Sequence, residues 1–107
     1  MLAPTKLLPF GFKVEDINSA EAASIAGQGY QTFTGSVEKA GYTPLGIVGF
    51  NINSNGGSGQ SGCTLYKCYM FYDSTENIHK YYVSFKNVNS SVATKIYAVL
   101  SVLYAIS

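Results

Sequence analysis

Two runs rich in apolar and aromatic residues, TLYKCYMFYD and IHKYYVSF, flank the polar turn STEN. The alternation of side chains in two such runs joined by a short polar turn predicts a β-hairpin over 64–73 and 78–86. Placing Asp73 opposite Ile78 fixes the register, because successive side chains of a strand point to opposite faces. The inner, core face then carries the pairs Tyr72–His79, Met70–Tyr81, Cys68–Val83 and Tyr66–Phe85, and the outer face carries Leu65–Lys86, Lys67–Ser84, Tyr69–Tyr82 and Phe71–Lys80.

Two further segments, 42–52 and 94–106, have the composition of strands but are apolar on both faces. In the second, one face carries Ile96, Ala98, Leu100, Val102, Tyr104 and Ile106, and the other carries Tyr97, Val99 and Leu103. Its β-branched and aromatic residues favour a strand over a helix. Strands of an antiparallel domain normally keep one face in water, so these segments predict a homo-oligomer in which a neighbour covers the outer face. Gly46 and Gly49 would allow a bulge or the close approach of another backbone.

The remaining segments predict one β domain preceded by a short approach. YQTFTGSV predicts another strand, and Pro44, which cannot donate to a ladder, belongs near the start of its strand or on an edge. Residues 53–62, NSNGGSGQSG, predict a flexible loop. We expect residues 1–24 to form an N-terminal extension, with a short strand or one helical turn, and residues 25–107 to form the domain. The predicted fold class is all-β, an antiparallel, jelly-roll-like β-sandwich of about six strands with little or no helix.

The amino-acid composition argues against several classes of binding partner for this chain. Of 107 residues 47% are hydrophobic and 12% charged, with no arginine and a net charge of +1. Such a chain is not expected to be disordered, and it has little polar material to cover the surface of a monomer. Seven scattered lysines without a guanidinium argue against nucleic-acid binding. The sequence contains no run of about 18 apolar residues, which a membrane-spanning helix would need. The opening MLAPTKLLPFGF has too short an apolar run for a secretory signal.

No catalytic or metal-binding set can be assembled from the sequence, so we predict no enzyme activity, no metal and no cofactor. The hairpin register turns the single histidine, His79, inward against Tyr72, and the sequence contains no nucleophile-elbow motif. Cys63 and Cys68 fall on opposite faces of one strand, too far apart for a disulfide, which predicts two free thiols. The carboxylates lie in turns or in the N-terminal part, where they are expected to be solvated: Glu15, Asp16, Glu21, Glu38, Asp73 and Glu76.

The outer face of the hairpin is the candidate ligand-binding surface. Tyr69, Tyr82, Phe71, Lys67 and Lys80 share it, and aromatic rings beside polar groups can stack on sugar rings or anchor a protein interface. The simpler interpretation, which the sequence favours, is cross-strand packing against a neighbouring subunit. The glycine-rich loop 53–62 is a second expected place of contact.

The order of the elements resembles a recurrent domain. GYTPLGIVGFNI, a glycine- and serine-rich loop, a cysteine-containing hairpin, VSFKNVNSSVAT and a terminal VLSVLY together resemble the small β-rich domain at the C-terminal end of tail-fibre, baseplate and related structural proteins of phages and prophages of gut bacteria. The resemblance covers about residues 25–107 and is most specific at GYTPLGIVG and VLY. It implies a β-sandwich-like, non-enzymatic and often trimeric domain at the distal end of a fibre, and it carries no residue-level binding motif.

The resemblance, together with the doubly apolar strands, implies a viral or prophage structural domain, a trimeric fibre tip or baseplate-type module on the virion. Its expected contacts are other virion proteins and a bacterial surface glycan. Two alternatives from other classes stay open. A free carbohydrate-binding module of a gut bacterium would use the same aromatic face as a monomer, whereas a purely architectural trimerisation module would bind no ligand.

Overall fold

The computed structural model describes residues 6–8 and 11–107, and nearly all of this part is extended. A short 3-10 turn lies at Gln60–Gly62, and all strand pairs are antiparallel. The predicted all-β sandwich is confirmed. The described residues form eight strands: β1 (Lys6–Leu8), β2 (Phe12–Asn18), β3 (Ala22–Ile25), β4 (Tyr30–Ser36), β5 (Tyr42–Ser54), β6 (Cys63–Asp73), β7 (Ile78–Asn87) and β8 (Ala93–Ile106).

The strands form two sheets that pack against each other. In sheet A the long strand β8 is central: β5 pairs with it on one side, and on the other side β2 pairs with its C-terminal half and β3 with its N-terminal half. β1 continues this sheet beyond β2. Sheet B has the order β4–β7–β6. The predicted strands 42–52 and 94–106 are therefore direct neighbours.

The core lies between β8 of sheet A and β7 of sheet B. Tyr81, Val83 and Phe85 of β7 are buried against alternate residues of β8, as the two-residue period of a strand requires. Ile106, predicted on the same face, is 59% exposed because it is the last residue of its strand. The buried residues of β8 on this face are Ile96, Ala98, Leu100, Val102 and Tyr104.

Residues on both sides of the predicted boundary at position 25 belong to the sandwich. β2 pairs with β8 over its whole length, and β3 buries Ala22 and Ile25 in the core. The segment in which the sequence allowed one helical turn is thus a strand. Ser19 fixes the connection before it, since its backbone N–H donates to Ala98 O and its hydroxyl accepts the Ala98 N–H, both at 2.8 Å. Residues 1–5, 9 and 10 of the predicted extension lie outside the described residues.

The predicted hairpin is confirmed from its turn as far as Lys67. Asp73 pairs with Ile78, and the register continues unchanged to the pair Lys67–Ser84. The backbone N–H groups of Thr75 and Glu76 both donate hydrogen bonds to Asp73 Oδ1, and these bonds stabilise the turn of the hairpin. An Asp at the start of a tight turn commonly binds the backbone in this way.

A bulge at Tyr66 changes the faces of the hairpin beyond Lys67. Leu65, not Tyr66, pairs with Phe85, because the bulge adds one residue to β6. The expectations that Tyr66 lies in the core and that Leu65 pairs with Lys86 are therefore wrong, and Tyr66 is 57% exposed. The same bulge turns Cys63 to the side of Cys68, so both thiols pack against the core rather than on opposite faces.

The glycine-rich segment between β5 and β6, called here the β5–β6 loop (residues 55–62), is packed against β8 and differs from the flexible loop predicted for 53–62. The Ser58 N–H donates to Thr94 Oγ1 at 2.9 Å, and the Thr94 N–H donates to Ser58 O at 2.8 Å. At Gly57 a Cβ would lie 2.0 Å from the carbonyl oxygen of Thr94. Glycine is required there by close approach to a neighbouring backbone rather than by flexibility.

Candidate binding face on sheet B

The outward side of sheet B carries the residues predicted to contact a ligand. Side chains alternate along β4, β7 and β6, and those directed away from sheet A form a continuous surface, called here the tyrosine face. Cross-strand rows extend the predicted hairpin set onto β4. The tyrosine face consists of Tyr30, Thr32, Thr34, Ser36, Thr64, Tyr66, Lys67, Tyr69, Phe71, Lys80, Tyr82, Ser84 and Lys86.

A stacked pair of tyrosines occupies the centre of this face. Tyr69 and Tyr82 lie opposite each other, with ring centroids 4.8 Å apart and 12° between the ring planes. Phe71 meets Tyr69 edge to face at 6.3 Å. Tyr69 is 47% exposed, while Tyr82 and Phe71 are half-buried. The structure thus brings the three predicted aromatic residues into one cluster with rings open to solvent.

A second aromatic pair, which sequence reasoning missed, lies at the other end of the face. Tyr30 and Tyr66 meet edge to face at 5.2 Å and are 52% and 57% exposed. Lys86 Nζ lies 5.0 Å from the Tyr30 ring centroid, and Lys67 Nζ lies 5.9 Å from that of Tyr66. The alternation in YQTFTGS gave a signal for Tyr30 on β4, but the pairing of β4 with β7 was not predicted.

The lysines of the tyrosine face differ in whether they form ion pairs. Lys80 Nζ lies 2.9 Å from Asp73 Oδ2 and 2.7 Å from Glu76 Oε2, and these hydrogen bonds, Glu76 first, raise the pKa of Lys80. The hydrogen bond from Lys80 in turn lowers the pKa of Asp73. Within the described residues, Lys67 and Lys86 form no ion pair. No carboxylate of the described residues therefore competes with a ligand anion for Lys67 or Lys86, and a hydrogen bond to the Tyr30 hydroxyl raises the pKa of Lys86.

His79 lies at the rim of the sandwich and not in its core. Its ring meets Tyr72 edge to face at 5.1 Å, but Tyr72 is 54% exposed. Glu38 Oε2 accepts the backbone N–H of His79 and lies 2.9 Å from its Nδ1, and these hydrogen bonds lower the pKa of Glu38. In the described part of the chain no hydroxyl or thiol is hydrogen-bonded to the His79 ring.

The cysteines are free thiols. Burial raises the pKa of Cys63 and of Cys68, which keeps both protonated near neutral pH and makes them weak nucleophiles. The described residues hold no cluster of three or more His, Cys, Asp or Glu side chains suited to a metal ion. Among the described residues, no helix has the length and apolar character needed to cross a membrane.

Comparison of the chain with protein-family models, with curated proteins and with solved structures finds no match. The resemblance to phage and prophage fibre domains therefore stays a prediction from the sequence. The fold and the geometry of the tyrosine face are the observations on which a functional proposal can stand.

Proposed function

We propose that this chain is a non-enzymatic structural module of a phage or prophage fibre or baseplate, and that its tyrosine face contacts a glycan on the bacterial surface. The observation that carries the proposal is the tyrosine face itself, with aromatic rings along a three-stranded sheet and two lysines that form no ion pair with the described residues. Binding residues are commonly presented by a rigid scaffold of this kind.

The chemistry of the face suits a sugar ligand. Tyrosine offers an apolar ring that can lie against the C–H groups of a pyranose and a hydroxyl that can bond to its oxygens. Thr32 and Thr34 add exposed hydroxyl-bearing residues in the same rows, and Lys67 and Lys86 add donors for hydroxyl or acidic groups. Stacking on tyrosine tolerates many sugars, so the identity of the sugar is left to experiment.

We also propose that the chain assembles as a homotrimer through the outer face of sheet A. Leu45 and Val48, at two bulges of β5, are 47% and 58% exposed. Beside them, a Cβ built at Gly46 would meet nothing within 4 Å, so a neighbouring backbone could approach closely there. Apolar surface of this kind commonly marks an interaction site.

A glycan array and a whole-cell pull-down with the wild-type chain, Tyr69→Ala and Tyr82→Ala test the proposed contact. We expect wild-type binding and about tenfold weaker binding, or about 1.4 kcal/mol, in each variant. Val88→Ala is the matched control, because Val88 is 52% exposed and follows β7 outside the tyrosine face. Absence of wild-type binding to glycans and cells, or normal binding by both tyrosine variants, would contradict the proposal.

One observation favours a second candidate, an architectural trimerisation module without a ligand. The stacking of Tyr69 on Tyr82 can be explained entirely as cross-strand packing. An intact trimer that binds neither glycans nor cells would favour this candidate. A monomer that binds glycans would instead favour a free carbohydrate-binding module.

A further inference from the structure

A groove outside the tyrosine face lies between β5 and the β5–β6 loop. This groove, called here the Phe50 groove, has a volume of about 590 Å³, within the usual range for ligand sites. Phe50 contributes an aromatic ring and is 57% exposed, although it pairs with the buried Leu100. The residues used in the argument are Phe50, Ile52, Ser58, Gln60 and Cys63.

The walls of the Phe50 groove are held together by hydrogen bonds. Gln60 Nε2 donates to Ile52 O at 2.8 Å, which ties the β5–β6 loop to β5 across the groove. The bonds between Ser58 and Thr94 hold the other side of the loop on β8. A site whose walls are already in place loses less conformational entropy when a ligand binds.

The lining of the groove is amphipathic and neutral. None of the described residues that line it is charged, so no ionic partner is present for a phosphate, a carboxylate or an amine. Gln60 Oε1 forms no hydrogen bond within the described residues, and it can accept a hydrogen bond from a hydroxyl group of a ligand. One aromatic ring beside uncharged donors and acceptors matches a pyranose, which has an apolar C–H face and a rim of hydroxyls.

We infer that the Phe50 groove binds a neutral saccharide, with a sugar ring against Phe50 and a hydroxyl bonded to Gln60. This site shares no lining residue with the tyrosine face and does not depend on the proposed function of that face. An extended peptide bound along β5 is the competing occupant, and a groove built for it would give no shift at Phe50 or Gln60 with any of the saccharide probes below.

The test is a titration of the 15N-labelled full chain with cellotriose, maltotriose and N,N′,N″-triacetylchitotriose. We expect at least one of these neutral probes to cause saturable shifts of the Phe50 amide and of the Gln60 side-chain amide. Phe50→Ala should lower the affinity for that probe about tenfold. Val88→Ala, at a residue 52% exposed that lines neither the Phe50 groove nor the tyrosine face, should bind it as the wild type does.

A second readout uses the wild-type chain and does not depend on how a variant folds. Cys63 lines the groove and Cys68 does not, and both are partly buried free thiols. The bound probe should slow alkylation of Cys63 by iodoacetamide and leave Cys68 unchanged.

Absence of shifts at Phe50 and Gln60 with all three probes would overturn the inference, as would normal binding of a probe by Phe50→Ala. Equal protection of both cysteines would also overturn it. Shifts confined to Tyr69 and Tyr82 would support the tyrosine face alone. Shifts at Phe50 and Gln60 in a chain whose tyrosine variants bind cells normally would support the groove alone.

Discussion

Tyr69 and Tyr82 stack across β6 and β7 with their ring centroids 4.8 Å apart and 12° between their planes. Each ring covers one face of the other, and Phe71 packs edge to face against Tyr69. The two side chains therefore act as one unit, and removing either ring alters the position and exposure of the other. Effects of such contacting residues are not additive.

The first prediction concerns the packing of the β5–β6 loop on β8. Gly57→Ala should lower the free energy of unfolding by about 1–3 kcal/mol, because the added methyl would collide with the carbonyl oxygen of Thr94. Urea unfolding measures this, and hydrogen exchange at the Thr94 N–H, which donates to Ser58 O, should quicken. Gly46→Ala, where the methyl meets open space, should leave exchange at Thr94 unchanged. Equal exchange in the two variants would contradict the packed loop.

The second prediction concerns a buried hydroxyl. Tyr104 Oη donates to Val37 O at 2.7 Å, and both residues lie in the core. Tyr104→Phe should lower the free energy of unfolding by about 1–3 kcal/mol, because the Val37 carbonyl is left buried without its donor. Tyr97→Phe is the matched control on the same strand, because the Tyr97 hydroxyl forms no hydrogen bond within the described residues. A stability loss of the same size in both variants would argue against this role.

The third prediction concerns the stability of the fold at acid pH. Glu15 lies 3.1 Å from both Lys13 Nζ and Lys39 Nζ. Burial opposes its charge, but hydrogen bonds to Lys13 and Lys39 outweigh burial and hold the pKa of Glu15 below 4.5. A lowered pKa in the folded state stabilises the fold above the unfolded pKa, and this stabilisation is lost as the pH falls through the folded value.

Thermal unfolding from neutral pH to acid should therefore show stability falling below about pH 4.5, with a shallower fall in Glu15→Gln. Glu38 and Asp73, whose pKa values are also lowered, contribute to the remaining slope. Glu21→Gln is the control, since Glu21 is exposed and forms no ion pair with the described residues. An unchanged acid slope in Glu15→Gln would show that the two lysines do not stabilise the fold through this carboxylate.

The fourth prediction concerns assembly. Light scattering should give the wild type three times the 11.5 kDa mass of one chain. Val48→Lys should give monomers with unchanged strand content by circular dichroism, because a charge would be buried in the proposed interface. Val92→Lys, at a residue 52% exposed just before β8, should stay trimeric. A monomeric wild type would exclude the proposed trimer.

Sequence patterns predicted the parts of the fold that depend on local alternation. The register from Asp73–Ile78 to Lys67–Ser84 followed from one turn and a two-residue period. The bulge at Tyr66 was missed because TLYKC contains neither glycine nor proline to mark it. Its consequence reached the candidate site, since Tyr66 joined the outward face.

Long-range pairing set a second limit on what could be predicted. β3 is four residues long and is held by its neighbour β8 rather than by its own propensity. The place of Tyr30 in the site likewise depends on the distant pairing of β4 with β7. The glycine-rich composition of the β5–β6 loop could not distinguish flexibility from the close backbone approach found at Gly57.

The most direct test of the tyrosine face is a measurement of affinity for the same bacterial cells. It compares the labelled wild type, Tyr69→Ala, Tyr82→Ala and the double variant. Light scattering first checks that each sample has the wild-type mass. The account predicts that each single variant binds about tenfold more weakly than the wild type and that the double variant loses little more, because the stacked rings act together. Wild-type affinity in both single variants would contradict the account. A variant that fails the mass check because it has dissociated into monomers would also contradict it, because the two tyrosines would then belong to the subunit interface.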